Sequence, residues 1–524
     1  MGTANHFETE RLSIQATLDA NKTCIERNKL GQFATPTQLA MEILAYGLSI
    51  LPTEVSIRFL DPAIGTGSFY SALLQTKADR PLDVAAGYEI DPHYGVPAHK
   101  LWAKSGLKIN LADFTKATPQ EQFNLIICNP PYVRHHHISS TEKKRLKVET
   151  TALTGISLSG LAGLYCYFIL LSRQWMSKDG VACWLIPSEF MDVNYGRELK
   201  RFLLEEVTLL RIHRFDPENV QFDDALVSSA IVWFRNEKPP VDHCIEFTYG
   251  GTHTSPSFSR ILFAAELKTE TKWSRFSKQK ISPARTNTPI LSNFFDIKRG
   301  IATGSNDFFI LTREKIQELH LPLACFRPIL PSPRHINVGE ILADKDGNPI
   351  LSPSLFVLNC RLPENEIKKN YPSLWRYLET SKKEIASRYL CRSRKKWYWQ
   401  EERLAAPFVC TYMGRGNTRM SPFRFLLNHS RAIAANTYLM LYPKPHLADI
   451  ISHDPRLLKS IWQALNQTAP ETLIAEGRVY GGGLYKIEPI ELSKLPVEHV
   501  DALLKRHNRR SIKIQANRPL RKDV

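Results

Sequence analysis

Four consecutive residues, Asn129-Pro130-Pro131-Tyr132, hold the sharpest chemical signal in the chain. Pro131 biases Pro130 to an extended backbone, and the two prolyl rings freeze the turn. The turn then fixes the Asn129 side-chain oxygen and the Pro130 carbonyl oxygen as a pair of acceptors. Such a pair suits the two hydrogens of a planar amino group. Tyr132 adds a face on which a ring can stack. As a bland loop the tetrapeptide would only turn the chain; its context argues for more.

Asp61-Pro62-Ala63-Ile64-Gly65-Thr66-Gly67 is a D-x-x-x-G-x-G turn, in which glycines let the backbone approach a ligand closely. The spacing is not G-x-G-x-x-G and no Lys-Ser/Thr follows, which disfavours a dinucleotide site or a P-loop. Further on, the Glu89 carboxylate can accept from both hydroxyls of a ribose, with Ile90 placed to pack on the base. Asp113 can accept from an adenine amino group while Phe114 covers the ring. An Asp at a strand end is also a common helix cap. Three carboxylates at the ends of three successive strands, behind a Gly turn, together signal a nucleoside site.

These residues need a frame that gathers strand ends. Apolar runs at 57–60, 84–90, 107–111 and 125–128 read as strands, each ending at or beside a polar residue: Asp61, Glu89, Asp113, Asn129. A helix is expected at 69–74. Strand, polar residue, helix, repeated, predicts an α/β fold with a doubly wound, mostly parallel sheet. In such sheets the ligand crevice lies at the carboxyl ends of the strands, where those four residues fall. The pattern continues with a helix at 161–176, a strand at 181–186, a helix at 197–204 and a strand at 227–234. Asn236-Glu237-Lys238-Pro239-Pro240 reads as a linker, so a first domain is expected at 1–240 and a second at 241–524.

The second half shows short strands, frequent prolines and no regular period, and no fold can be derived for it from pattern alone. Basic residues mix with aromatics, notably from Arg388 and Tyr389 through Arg392, Arg394, Lys395, Lys396, Trp397, Tyr398 and Trp399. The whole chain of 524 residues carries 69 Lys and Arg against 52 Asp and Glu, a net charge of +17 that favours a polyanionic partner, nucleic acid foremost. A hydrophobic content of 43% excludes wholesale disorder. The longest apolar run, 164–171, is too short for a bilayer, so no membrane association is expected. The N-terminus is polar, without the apolar stretch of a signal peptide, and His6 breaks the myristoylation pattern. Nine cysteines without a C-x-x-C pair argue against a zinc ribbon or a redox dithiol, and point to a reducing cytoplasm. His135-His136-His137 invites a metal reading, but adjacent side chains rarely converge on one ion and no carboxylate accompanies them. No metal is expected. With Lys143, Lys144, Arg145 and Lys147 these histidines read as phosphate contacts, or the basic residues as a solvated helix face.

Taken together, these motifs make the chain resemble the S-adenosylmethionine-dependent amino-methyltransferases, and among them the gamma class (Taq-type) of DNA adenine methyltransferases of restriction–modification systems. In that class a leading motif precedes the Gly-rich one, and a target-recognition domain follows the catalytic one. Gly31-Gln32-Phe33-Ala34-Thr35-Pro36 looks like the leading motif, which implies that Thr35 contacts the methionine part of the cofactor. The segment from Asp61 to Gly67 looks like the Gly-rich motif, with Ile64 where the family often has Cys. The match implies cofactor contacts at Thr35, Asp61, Ala63, Gly65, Gly67, Glu89, Ile90, Asp113, Phe114, Asn129 and Pro131. It implies catalytic roles for Asn129, Pro130, Tyr132 and Phe222. Phe222, in Gln221-Phe222-Asp223-Asp224-Ala225-Leu226-Val227-Ser228-Ser229, matches the aromatic position beside a flipped adenine; it reads equally as a core residue at a strand start. The stretches from Ile297 to Phe309 and from Tyr480 to Pro489 look like the opening and a late part of the recognition domain.

The resemblance implies a Rossmann-like methyltransferase sheet, then a mixed α+β target-recognition domain. It implies methyl transfer from S-adenosyl-L-methionine to N6 of a flipped-out adenine in a specific sequence of double-stranded DNA. It further implies a monomer in the cytoplasm whose functional partner is a cognate restriction endonuclease. The alternatives are an enzyme acting on RNA adenine or on a protein glutamine amide, a bifunctional restriction–modification enzyme, and a DNA-binding subunit without catalysis. No nuclease signature of paired carboxylates and Lys stands outside the cofactor motifs, and the intact Asn129–Tyr132 turn argues against a non-catalytic subunit.

Overall fold

The computed structural model describes residues 2–222, 227–277, 288–416 and 421–516, the side chains of 2–5 and 508–516 excepted. The chain divides into two compact units, one of Met1–Ser282 with Tyr480–Gly482, the other of Pro283–Val479 with Gly483–Val524.

The first unit opens with helices α1 (Gly2–Ala20), α2 (Cys24–Leu30) and α3 (Thr37–Ser49). Then come β1 (Ile57–Asp61), α4 (Ser68–Thr76), β2 (Leu82–Tyr88), α5 (Pro92–Trp102), β3 (Leu107–Asn110) and β4 (Phe123–Cys128). They are followed by α6 (Ser140–Thr154), α7 (Leu164–Ser172), β5 (Met176–Pro187), α8 (Arg197–Glu205), β6 (Thr208–Arg214), β7 (Ser229–Arg235), β8 (Cys244–Gly251) and β9 (Pro256–Phe263). The nine strands form one sheet in the order β3-β2-β1-β4-β5-β7-β6-β8-β9. β3 through β5 are parallel; β7 runs antiparallel between β5 and β6. This is the expected doubly wound α/β fold.

The strands read as apolar runs because both sheet faces are covered. Along β4, Leu125 and Ile127 join the core beneath α3 and α4, whereas Ile126 and Cys128 join the one beneath α7 and α8. Alternation thus sends successive side chains into two different cores, and neither core leaves a polar gap in the sequence.

Three expectations are corrected. The helix at 161–176 shortens to α7, because the chain passes through a 3₁₀ turn at Arg173–Trp175 and enters β5 at Met176. β6 was not anticipated, since Arg211, His213 and Arg214 give it a polar look although all three are buried. The boundary at residue 240 falls inside the first unit. Pro239-Pro240 only links β7 to β8, and β8 pairs in parallel with β6 through Arg211↔Glu246 to Arg214↔Tyr249. Asn236 is itself tied back, its N–H donating to the Gly180 carbonyl at 2.9 Å.

The second unit is mixed α+β, as expected. A five-stranded sheet runs in the order Phe295–Arg299, Tyr438–Pro443, Phe408–Thr411, Phe425–Asn428, Glu340–Ile341. A three-stranded sheet of Ile310–Thr312, Leu355–Leu358 and Phe326–Ile329 accompanies it, with helices such as Pro372–Thr380 and Leu457–Asn466. Its basic-aromatic run is partly internal. Tyr398 is fully buried with its hydroxyl on the Leu362 carbonyl, and Arg394 donates to the Ala302 carbonyl at 2.7 Å. The basic C-terminal tail beyond Ala516, and Asp223–Leu226 of the Phe222 motif, lie outside the described residues. Among the described residues no helix is long and apolar enough to cross a membrane.

Beneath α3, two buried histidines make the first unit sensitive to acid. His213 accepts or donates through Nδ1 to the Thr248 hydroxyl at 2.9 Å, and its ring lies 6.3 Å from that of His253. Burial holds His213 down to about 3, helped by neighbouring His253 and then by the charge on Arg211; burial lowers His253 as well. The unfolded chain takes up these protons near pH 6.5, but the folded one does not. Stability is therefore complete above pH 6.5 and falls as pH drops toward the folded values, with His213 contributing at most about 1.4 kcal/mol per pH unit. Urea unfolding at pH 7.5, 6.5 and 5.5 should show His213→Gln with a shallower acid loss than the wild-type chain. Equal slopes would contradict this account.

Candidate active site

A cavity of about 770 Å³ opens at the carboxyl ends of β1, β2 and β4. Its wall includes Thr35, Asp61, Ala63, Gly65, Glu89, Ile90, Asp113, Phe114, Asn129 and Pro131, so ten of the eleven residues expected to hold a cofactor face one space. The eleventh, Gly67, shapes that space from behind. Its φ is +94°, and a Cβ there would lie 2.4 Å from the Trp102 indole nitrogen. That nitrogen donates to the Thr66 carbonyl at 2.9 Å, locking the turn on α5. At Gly65, by contrast, an added Cβ meets nothing within 4 Å, so backbone is bared to the cavity.

Two buried carboxylates set the electrostatics. Asp61 is 1% exposed and accepts from the Ala63 N–H at 3.1 Å. Burial pushes its carboxyl up to about 7, with the nearby Glu89 charge adding to the rise. Burial raises Glu89 too, against the backbone N–H groups of Asp91 (2.8 Å) and Gly65 (3.0 Å) that donate to it. Two desolvated acids beside an empty space favour a cation there, since a positive charge stabilises both anions. Asp113 behaves as the cap that its position allowed. Its Oδ1 accepts from the Thr115 N–H (2.9 Å) and hydroxyl (2.7 Å), and Oδ2 lies 3.4 Å from Lys116 Nζ. Phe114 is buried against Tyr88, Phe168 and Trp175 with one edge in the cavity. Ile90 is 68% exposed at the mouth.

The Asn129–Tyr132 turn is held from the N-terminal side. Helix α2 starts with a Thr23–Glu26 capping box and ends at Gly31 with φ +65°. The Gly31 carbonyl accepts from the Tyr132 N–H at 3.1 Å, and a Cβ on Gly31 would stand 2.2 Å from that nitrogen. Only glycine permits so close an approach. Two residues on, the Asn129 amide nitrogen donates to the Phe33 carbonyl (2.8 Å) and to the Thr35 hydroxyl (3.2 Å). Both amide hydrogens are thereby used, and Oδ1 is left without a donor among the described residues.

Pro130, Tyr132 and Phe222 are not part of the cavity wall. Tyr132 is 8% exposed, its hydroxyl donating to the Leu185 carbonyl at 3.1 Å, and Phe222 is 5% exposed. Their rings meet edge to face at 5.9 Å, and Phe33 packs on both at 5.7 and 5.6 Å. The expectation of two faces offered to an incoming ring is corrected to this extent: here both rings are buried and packed edge to face against each other. The three histidines form a 3₁₀ turn with ring centroids 5.4 and 4.2 Å apart in sequence. Among the described residues no group of three or more His, Cys, Asp or Glu could hold a metal ion. Arg145 is not a free cation either, being bound to Glu142, Glu149 and Thr115.

Comparison with known proteins gives this geometry a family. Residues 97–221, which contain the Asn129–Tyr132 turn, match the model described as Eco57I restriction-modification methylase, and residues 277–521 match that of the Type II methyltransferase M.Eco57I, C-terminal domain. The chain belongs to the type II restriction–modification methyltransferases. It is 26% identical over 501 residues to Type II methyltransferase M.AccI of Acinetobacter calcoaceticus, covering 92% of this chain and 88% of the relative. It is 27% identical over 459 residues to M.XamI of Xanthomonas campestris pv. amaranthicola, covering 85% and 81%. Among solved structures, the type IIL restriction–modification enzyme MmeI in complex with DNA shares the fold at a TM-score of 0.55 and 14% identity, over 98% of this chain and 71% of that one.

The cavity of this methyltransferase is also lined or braced by residues that sequence reasoning passed over. Helix α1 lends Gln15 and Asp19 to the cavity wall, and Lys22 follows just after it. Lys22 pairs with Asp91, the Gln15 side-chain oxygen accepts from the Thr66 hydroxyl at 2.6 Å, and Tyr94 donates to Asp19 at 2.8 Å. Arg11, 1% exposed, binds Glu8 at 2.6 and 2.8 Å and donates to the Thr66 and Ser68 hydroxyls at 3.2 and 3.0 Å. One charged pair therefore pins the N-terminal helix of the methyltransferase to its Gly-rich turn. The available signal was the four-residue spacing of Arg11, Gln15 and Asp19, which puts them on one helix face.

Proposed function

We propose that this methyltransferase moves a methyl group from S-adenosyl-L-methionine to the exocyclic N6 of a flipped-out adenine in a specific double-stranded DNA sequence, protecting that DNA from a cognate restriction endonuclease. The observation that carries the reading is Asn129 in the cavity wall, its amide nitrogen spent on the Phe33 carbonyl and the Thr35 hydroxyl and its Oδ1 free. The cavity residues suit the cofactor. Asp61 and Glu89 favour a cation, the bared backbone at Gly65 admits a close ligand, and Glu89 keeps lone pairs for ribose hydroxyls. Phe114 and Ile90 are placed to flank an adenine. When bound, S-adenosyl-L-methionine supplies an electrophilic methyl group on a positively charged sulfur.

The chain's own residues prepare the acceptor. An adenine amino group is a poor nucleophile because its lone pair is delocalised into the ring. Asn129 Oδ1 and the Pro130 carbonyl accept its two hydrogens and favour a pyramidal nitrogen. Positive charge grows on that nitrogen as its bond to carbon forms and the carbon–sulfur bond breaks. The two carbonyl dipoles then stabilise the transition state more than the ground state. The surplus proton leaves to water, so no histidine base is needed. The target is inaccessible inside the stack and must flip out. Tyr132 and Phe222 receive it once their mutual contact opens. A tritium-transfer assay on duplex DNA, RNA and protein tests the substrate class: label in DNA supports the reading, and label confined to RNA or protein overturns it.

The second unit reads the neighbouring base pairs, in keeping with its size and its mix of basic and aromatic residues. Exchanging residues 283–524 for the corresponding part of a related enzyme should transfer the donor's sequence preference. A folded, active chimera that still methylates the original sequence would place specificity in the first unit. The reading puts the protein in the cytoplasm as a monomer, with the endonuclease a functional and not a physical partner.

A further inference from the structure

An asparagine amide has nearly the same shape either way round, and only its hydrogen bonds decide where its oxygen points. In this chain the decision lies outside the Asn129–Tyr132 turn. The Phe33 carbonyl, 2.8 Å from the Asn129 amide nitrogen, can only accept, so it must face the nitrogen. The Thr35 hydroxyl, 3.2 Å away, takes the second hydrogen. Thr35 is 4% exposed and heads α3 just before Pro36 and Thr37, so its backbone is not free to drift. Thr35 also lines the cavity, and its own hydroxyl hydrogen has no acceptor among the described residues.

We propose that Thr35 is a positioning residue for methyl transfer, acting through Asn129. This inference rests on the function proposed above and names a different role from contact with the methionine part of the cofactor. Once the Thr35 hydroxyl hydrogen is directed into the cavity, a lone pair is presented to the Asn129 amide. That amide then cannot rotate, and Oδ1 stays turned away from the 31–35 segment toward the incoming amino group. Without the hydroxyl, one amide hydrogen loses its partner and the acceptor is held by the Phe33 carbonyl alone.

The roles separate kinetically. Thr35→Val keeps the shape of the side chain and removes the hydroxyl. Its single-turnover rate at saturating S-adenosylmethionine should fall about 5- to 150-fold, the range for a buried donor left unpaired. Cofactor affinity by calorimetry should stay within about threefold, the low end for one neutral hydrogen bond. Thr35→Ser should recover most of the rate. In an Asn129→Ala background Thr35→Val should cost nothing further, because the residue acts through the one already removed. A Thr35→Val protein with normal rate and weakened cofactor binding would make Thr35 a cofactor contact only and overturn the proposal. Equal losses in Thr35→Val and Thr35→Ser, or additive losses with Asn129→Ala, would overturn it too. Should Thr35→Val fold poorly, the comparison of Thr35→Ser with Thr35→Ala carries the same test. If Asn129→Ala itself turns over normally, the functional reading fails; if it is inactive while Thr35→Val is normal, only the positioning role fails.

Discussion

Asn129→Ala is expected to slow methyl transfer by about 10²–10³-fold, some 3–4 kcal/mol in the barrier, the usual cost of losing one preorganised dipole aimed at developing charge. The substitution removes the only acceptor that the turn presents through a side chain. It leaves the Phe33 carbonyl and the Thr35 hydroxyl without the amide that joins them. Cofactor affinity should stay within a few-fold, since Asp61, Glu89 and the Gly-rich turn are untouched. Single-turnover rates and calorimetry on the same preparation check both halves. Near-normal turnover would remove Asn129 from the reaction.

Glu89→Ala is expected to act on the other quantity. A charged acceptor facing ribose hydroxyls contributes about 1.5–3 kcal/mol, so the dissociation constant for S-adenosylmethionine should rise about 10- to 150-fold. The structure adds a second consequence. The two oxygens of Glu89 also accept from the Asp91 and Gly65 N–H groups, tying the loop after β2 to the Gly-rich turn. The variant should therefore also melt at lower temperature, with or without cofactor. Glu89→Gln retains an acceptor oxygen and should fall between. Calorimetry showing unchanged cofactor affinity in Glu89→Ala would refute the ribose role.

What the sequence made legible follows from burial. β1, β2 and β4 are covered on both faces, so each reads as an apolar run that stops at a polar residue, and those residues are the ones at the cavity. β6 defied the same reading because Arg211 is buried with Glu246 as its partner, Arg214 lies over the Tyr249 ring, and His213 is buried neutral. Polar letters there mark internal pairing, not exposure. The Pro239-Pro240 turn looked like a domain boundary because prolines end strands equally well within a sheet. Helix α1 gave no apolar stripe, since one of its faces meets a polar cavity. Asp113 serves as the local cap that its position also allowed, its Oδ1 accepting from the Thr115 N–H, while it lines the cavity. Tyr132 and Phe222 were picked out as aromatic, but no spacing tells an open stacking face from a packed one. The second unit stayed opaque because its strands of two to six residues are too short to display a period.

On the proposed function, the group methylated is the N6 amino nitrogen of adenine in duplex DNA. The most direct test incubates the full-length protein with unmethylated duplex DNA and S-adenosylmethionine carrying a labelled methyl group, digests the product to nucleosides, and identifies the labelled one by mass spectrometry. The account predicts label in N6-methyldeoxyadenosine, abolished in Asn129→Ala. Label in N4-methyldeoxycytidine, or DNA left unlabelled while RNA or protein takes the methyl group, would contradict it.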